Sequence, residues 1–300
     1  MRQYLDLMGE ILERGTDREG RNGLTRGLFA RQLRFDLRDG FPAMTTKKLA
    51  FKSAKAELLW FLEAGRKTGS RLDENRLREL MDYLPDKRTI WSEDATSTRW
   101  KPKAQFPGDC GRIYGAQWRN WRGPDGKTVD QLALAIRSIK EDPWDRKMKI
   151  VTARNPAELE DMCLEPCHER FQFFVTPAPD GKPKYLSVHM TQRSCDVFLG
   201  VPFNITSYAL LLSMAAQVTG LEPLELVIDF MDVHVYSIHF EQAREQLTRE
   251  PLPPPKLWLN PAVTDIDSFK MEDIELIDYK HHEPIKAELA KDKADLPAQA

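Results

Sequence analysis

The chain has 300 residues, 41% of them hydrophobic and 30% charged, with a formal net charge of −2 at pH 7. This length and balance describe a globular protein with a real core, built as one large domain or two small ones. Near-neutral charge gives no global attraction for nucleic acid or an anionic membrane, so any basic site must be local.

In chain order, Met1 to Gly15 sets Asp6, Glu10 and Glu13 between Leu5, Met8, Ile11 and Leu12. That periodicity predicts an amphipathic helix and not a signal peptide with an uncharged apolar centre. Leu28 to Leu37 alternates apolar and polar residues and predicts a strand with one buried face. Ser53 to Ala64 reads as a helix in which Leu58 to Leu62 follow the acid Glu57. From Gly65 to Gly108 the pattern weakens, with one short helix expected at Arg76 to Leu84 and a loop at Ser92 to Pro107. Gln131 to Lys140 predicts a helix that Asp142-Pro143 ends. Strands are expected at Lys147 to Ala153, Arg170 to Thr176 and Tyr185 to Arg193, the last two joined by a Pro177–Gly181 turn. Ile205 to Val218 is apolar nearly all round and predicts a central core helix, too short and interrupted to span a bilayer. Leu226 to Tyr236 reads as a strand, Pro251 to Pro255 as a rigid connector, and the residues after Ala290 as a loose polar tail.

These elements predict an α+β chain with a mostly antiparallel or mixed sheet. Residues 1–290 form one domain and 291–300 the tail. Short hairpins and the lack of a GxGxxG motif argue against a Rossmann architecture. The four cysteines, Cys110, Cys163, Cys167 and Cys195, show neither a CxxC pair nor zinc spacing, so no metal and no disulfide are expected. The chain reads as cytosolic.

Glu165-Pro166-Cys167-His168 places a thiol beside an imidazole. Downstream, Arg193 and Ser194 suit a phosphate, Asp196 adds a carboxylate, and Asn204 offers an amide that can read a pyrimidine edge. A thiolate attacks electron-poor carbon, and an arginine–phosphate pair holds a nucleotide so that one ring carbon faces the sulfur. The pattern points to covalent chemistry on a pyrimidine nucleotide. Uracil presents an N3–H donor and an O4 acceptor, which one side-chain amide complements; a flipped amide serves cytosine.

The ordered motifs extend over nearly the whole chain. They are Asp39-Gly40-Phe41-Pro42, Thr45-Thr46-Lys47-Lys48, Glu57 to Leu62, Tyr114 to Arg119, Pro166-Cys167-His168, Gln192 to Gly200, Pro202-Phe203-Asn204 and His234-Val235-Tyr236-Ser237. On these residues the chain resembles the thymidylate synthases. The resemblance implies a sandwich-like α+β fold with one large sheet packed on its copy in a homodimer. It also implies dUMP and 5,10-methylenetetrahydrofolate as co-substrates, with no metal, membrane or nucleic acid required. Cys167 would add to C6 of dUMP, Glu57 would relay protons, Tyr114 would help remove the C5 proton, and His168 and Asn204 complete the catalytic set. Arg21, Arg193 and Ser194 would hold the phosphate, joined by Arg146 and Lys147 from the partner subunit, while His234 and Tyr236 would bind the sugar hydroxyl. Lys47, Trp91, Asp196, Gly200 and Phe203 would meet the folate. Taken singly, Arg21 and Arg193 could be surface salt-bridge partners, His234 a structural histidine and Tyr114 ordinary core; the ordered set is what assigns them.

The folate side departs from the family pattern. Asp94 stands where a second tryptophan is usual, Ala153-Arg154-Asn155 replaces Ala-Trp-Asn, and Phe230-Met231-Asp232 replaces Gly-Gly-Asp. Ala50 replaces a histidine, and the chain runs past the usual hydrophobic end to Ala300. A wetter pocket would let water, not hydride, quench the electrophilic C5 methylene. The expected product is then 5-hydroxymethyl-dUMP, as in the phage nucleotide hydroxymethylases, which lack that tryptophan and carry a similar His-Val-Tyr-Ser; a phage chain would work in the host cytoplasm. The alternatives are a plain thymidylate synthase and, from another class, a catalytically silent nucleotide- or RNA-binding regulator.

Overall fold

The N-terminal periodicity becomes helix α1 (Arg2–Arg14), which buries Tyr4, Leu5, Leu7, Met8 and Ile11. The chain then forms β1 (Thr16–Gly20), β2 (Gly23–Asp36), α2 (Phe51–Glu63), a short β3 (Leu72–Asp73), α3 (Glu74–Leu80) and α4 (Ser92–Thr96). Next come β4 (Asp109–Gly111), α5 (Gly115–Asn120), β5 (Trp121–Arg122), β6 (Thr128–Val129) and α6 (Gln131–Glu141). The remainder holds β7 (Ile150–Thr152), β8 (His168–Pro177), β9 (Pro183–Asp196), α7 (Gly200–Thr219), β10 (Glu222–Tyr236), α8 (Phe240–Leu247), β11 (Lys256–Leu259) and β12 (Ile274–Ile277). This computed structural model describes residues 1–64, 70–84 and 87–290; the tail expected at 291–300 lies outside the described residues.

Six strands make one mixed sheet in the order β1-β2-β10-β9-β8-β7. All neighbours pair antiparallel except β9 and β10, which run parallel and are joined through α7. A parallel pair needs a long crossover, and α7 is that crossover. It packs on β9 and β10, with α2 against it in turn. Its inward and outward sides are both covered: Ile205, Ala209, Leu210, Leu212, Met214 and Ala216 are all inaccessible. One sheet face supplies the strand half of this core, with Phe171, Phe173, Val188, Met190, Ile228 and Phe230. Alternate residues face the other way, where Phe174 is 65% exposed. Phe29 on β2 is 78% exposed, beside Ala30, whose φ is 54°; the β2–β10 register continues unchanged across it, from Arg31↔Phe230 to Phe29↔Asp232.

The α+β class and the mixed sheet agree with the sequence expectation, but five elements differ from it. The core helix is 20 residues, not 14, and ends where Gly220 takes a left-handed turn (φ 72°). At that length and composition it is long and apolar enough to cross a membrane, yet 83% of the stretch is buried in the fold. Strand β7 starts only at Ile150, because the Asp145 carboxylate captures the backbone N–H groups of Lys147 and Met148 in a turn. Helix α3 starts earlier, where the Asp73 side chain accepts from Asn75 N–H, and stops at Leu80 before Asp82 adopts φ 53°. The expected loop at Ser92 to Pro107 opens with α4, and exposed β1, a polar TDREG segment, pairs with an extension of β2.

Candidate active site

Two adjoining cavities collect most of the residues singled out by sequence. An apolar one of about 360 Å³ is lined by Glu57, Phe61, Trp91, Tyr114, Cys167, Asn204 and their neighbours. A polar one of about 440 Å³ is lined by Arg21, Arg193, His234 and Tyr236 among others. Ser194 and Leu164 line both. The largest cavity, about 890 Å³ on the outer side of α2, contains none of these residues.

Strand β9 explains part of this sorting. Its alternate residues Gln192, Ser194 and Asp196 line the apolar cavity, while Arg193 between them lines the polar one. Arg193 also holds the loop that carries Cys167. Its backbone N–H donates to the Cys167 carbonyl at 2.9 Å. Its Nε and Nη2 donate to the carbonyls of Pro166 and Glu165 at 2.9 and 3.0 Å. Burial pushes the Cys167 thiol up, and Arg193 opposes that most strongly, with the Asp94 charge acting the other way.

Tyr114 occupies an unusual backbone position, φ 26° and ψ −90°, just before α5. Strain of this kind persists only where the surroundings fix it. Gly115 is the reason the chain fits: a Cβ there would sit 2.1 Å from the Phe61 carbonyl oxygen. The tyrosine ring stacks on Phe61 with centroids 5.0 Å apart, and its Oη accepts from Cys167 N–H at 2.9 Å. Burial holds the phenol well above its usual range.

Glu57 projects from apolar α2, and its Oε1 accepts from Trp91 Nε1 at 2.7 Å. Burial pushes its carboxyl from 4.5 up to about 7, a little restrained by that bond. At neutral pH it exists in both protonation states, the condition for relaying protons. His168, next to the nucleophile in sequence, goes the opposite way. Burial lowers it to about 4, with a bond to Asn204 resisting, and its ring packs on Tyr114 and Tyr208. A neutral imidazole that bonds an amide positions that amide; it does not supply charge to the thiol.

Asn204, in the first turns of α7, accepts from Gln192 Nε2 at 2.9 Å through Oδ1. Gln192 was quoted in a motif but given no role from sequence. Its cross-strand pairing with His168, which brings the two onto one wall, is visible only in the fold. Asp196 ends β9, and its Oδ1 accepts the N–H groups of Phe198 and Leu199 at 3.0 and 3.2 Å in the turn that leads to α7. Trp91, Asp196, Gly200 and Phe203 all line the apolar cavity, and Arg88, Asp94 and Leu164 join them.

His234 and Tyr236 sit at the end of β10 in the polar cavity, with His234 Nδ1 3.3 Å from Asp232 Oδ1. Burial raises the Tyr236 hydroxyl to about 12. Arg21, at the β1–β2 turn, lines the same cavity, as does Arg99, which sequence reasoning missed and whose Nη2 donates to the Cys163 carbonyl at 3.0 Å. Three expected residues lie outside both cavities. Lys47 is buried with Nζ 2.5 Å from the Phe198 carbonyl and 3.5 Å over the Phe198 ring, and burial lowers it to about 7. Arg146 and Lys147 are exposed on the turn before β7. Among the described residues no group of three or more His, Cys, Asp or Glu side chains could hold a metal ion.

The Cys167 thiol, the buried Glu57 carboxyl and the Asn204 amide meet in one apolar cavity, and a cavity lined by Arg21, Arg99 and Arg193 adjoins it. The model of the family described as thymidylate synthase matches residues 2–291. The chain belongs to the thymidylate synthase family and is a folate-dependent transferase that modifies dUMP at C5.

Proposed function

We propose that this protein converts dUMP to 5-hydroxymethyl-dUMP, with Cys167 adding to C6 and water, not hydride, completing the reaction. The observation that carries the reading is Asp94, a carboxylate in the wall of the apolar cavity that also holds Cys167, Glu57 and Trp91. Hydride transfer to an electrophilic carbon is protected by a dry wall. A carboxylate in that wall keeps water beside it.

In this reaction Arg21, Arg193 and Ser194 take the phosphate, and His234 and Tyr236 the sugar hydroxyl. Asn204, held by Gln192 and His168, reads N3–H and O4 of uracil. Methylenetetrahydrofolate supplies the one-carbon unit, and the flat apolar wall of Ile90, Trp91 and Phe203 suits its aromatic rings. Cys167 forms the C6–S bond, which moves charge onto O4, and Glu57 is in the protonation range to balance it. Lys47, packed on Phe198 just before α7, acts here by positioning that turn. Residues 1–290 act as one catalytic unit.

The active form in this reading is a homodimer. Phe174 on the outer sheet face and Phe29 on β2 stand exposed, and a second copy packed against the sheet would cover such apolar side chains. Arg146 and Lys147 stand apart from the polar cavity of their own chain, so they serve a phosphate only from a second subunit. Mixing Cys167→Ala with Arg146→Ala subunits then restores activity that neither has alone; no rescue rejects the shared site.

The decisive experiment incubates the protein with dUMP and methylenetetrahydrofolate and resolves nucleotide and folate products by mass spectrometry. Hydroxymethyl-dUMP with tetrahydrofolate is the expected result. The apolar remainder of the wall, with Leu77, Met81 and Leu164, favours the second reading, a thymidylate synthase, and dTMP with dihydrofolate would establish it. Cys167, Glu57 and Asn204 meeting in one cavity leave a silent regulator without support.

A further inference from the structure

A third cavity, about 630 Å³ and mostly polar, adjoins both others. Arg21, Arg88, Glu93, Thr96, Ser97 and Arg99 are in its wall. Asp94, Arg88, Ile90 and Leu164 line it and the apolar cavity alike. Asp94 is therefore the acid at the boundary between a polar chamber and the place where Cys167 meets the base.

Its position is firmly built. Trp91, just before α4, is bonded to Glu57. Ser92 bonds the buried Glu74, which also takes Thr89 Oγ1 at 2.5 Å and pairs with Arg78 at 2.9 Å. Ala95 is buried, and the Asp94 carbonyl accepts from Ser97 Oγ at 3.1 Å. The carboxylate is thus carried on a short helix anchored on both sides. Its charge is felt at the Cys167 thiol, which it pushes up.

We infer that Asp94 is a catalytic residue, the general base that draws a water from the polar chamber and activates it against the C5 methylene of the enzyme-bound nucleotide. The inference rests on the water-using reading above and adds the residue that performs the step. Water oxygen forms a bond to the methylene carbon while one water proton passes to the Asp94 carboxylate. The C5=CH₂ electron pair moves into the ring, C5=C6 re-forms, and the C6–S bond breaks with its pair leaving on Cys167 sulfur. Nothing is oxidised or reduced, so the folate leaves as tetrahydrofolate. Glu57 and Asp196 are the other carboxyls in that wall; Glu57 has the O4 proton to manage, and Asp196 caps the turn before α7 through the N–H groups of Phe198 and Leu199.

The test uses the full chain and a competing nucleophile. With 2-mercaptoethanol present, the methylene partitions between a thioether and the hydroxymethyl product, and their ratio reads the water step alone. Asp94→Asn and Asp94→Ser keep a small polar wall but remove the base. Both should raise the thioether-to-hydroxymethyl ratio by about 100-fold or more, the usual contribution of a general base. Asp94→Glu should bring the ratio back toward wild type, and dUMP affinity by calorimetry should hold in all three. A ratio unchanged in both Asn and Ser variants, with wild type making hydroxymethyl-dUMP, overturns the role of Asp94 and leaves the function standing. Wild type making dTMP and dihydrofolate instead overturns the function itself.

Discussion

Glu57→Gln offers a direct measure of how strongly the apolar wall acts on the carboxyl proposed to relay protons. A carboxyl carried from 4.5 to about 7 prefers the neutral form by about 3 kcal/mol, at about 1.4 kcal/mol per pH unit. Between those values the folded chain holds a proton that the unfolded chain has already released. Stability therefore falls as pH rises through that window, is unpenalised below pH 4.5, and carries the full cost above about 7. Glutamine mimics the neutral acid and has nothing to titrate. Urea unfolding of wild type and variant at two pH values, one inside that window and one above it, gives a double difference in which all other titrating groups cancel. The variant should gain about 2–3 kcal/mol relative to wild type on going from about pH 5 to about pH 8. In the same preparations the variant should lose turnover. An identical stability difference at both pH values would show that Glu57 ionises freely, and the proton-relay assignment would lose its physical basis.

Three further outcomes follow from the geometry. Arg193→Lys removes the two bonds to the Pro166 and Glu165 carbonyls and should weaken dUMP binding by about 10- to 100-fold in calorimetry, since a point charge does not replace a fork. Asn204→Asp gives up the amide donor for O4, and as a neutral acid it accepts from cytosine N4–H₂ and donates to N3, so its kcat/KM should fall for dUMP and rise for dCMP, by about tenfold or more in the ratio. Gly115→Ala drives a methyl group into the Phe61 carbonyl and should cost about 1–3 kcal/mol, visible as a lower Tm together with slower turnover as Tyr114 shifts; an unchanged Tm would mean that the α2–α5 contact is slack.

The parts of this molecule that were legible in sequence are those where one segment carries its own signal. The periodicity of α1 and α6, the all-round apolarity of α7 and the alternation of β8, β9 and β10 each report burial directly. The lineup of Cys167, Asn204 and Arg193 was legible because nucleophile, amide and guanidinium are chemically distinctive. What sequence could not show arises between segments. Strand β1 is exposed along its whole length, so it has no hydrophobic signature and exists because β2 offers it an edge. Helix α4 is held by Glu74 on α3 and Glu57 on α2, neither of which is near it in sequence. Lys47 looked like a ligand-facing cation in a polar motif, but its ammonium is turned inward to a carbonyl and a ring. That His168 packs between two tyrosines, behind Asn204, follows from its strand position and not from its place after the thiol.

The same burial that makes the site selective also fixes the timing of its chemistry. Cys167 and Glu57 are both pushed toward their neutral forms, and what most opposes this at sulfur is Arg193, with Arg21 adding to it. Those two arginines face the polar cavity, where in the proposed reaction a phosphate takes up much of their charge. A thiolate waiting beside a bound nucleotide would then lose its main support. The negative charge on sulfur is best kept brief: it should form as the C6–S bond forms and pass at once through the ring to O4. Asn204 can donate to that oxygen, and Glu57 stands in the protonation range to neutralise it. On this argument the rate of Cys167 addition depends on Glu57 and Asn204 as much as on the sulfur itself. A nucleotide analogue unable to accept charge at O4 should therefore bind without forming the covalent bond.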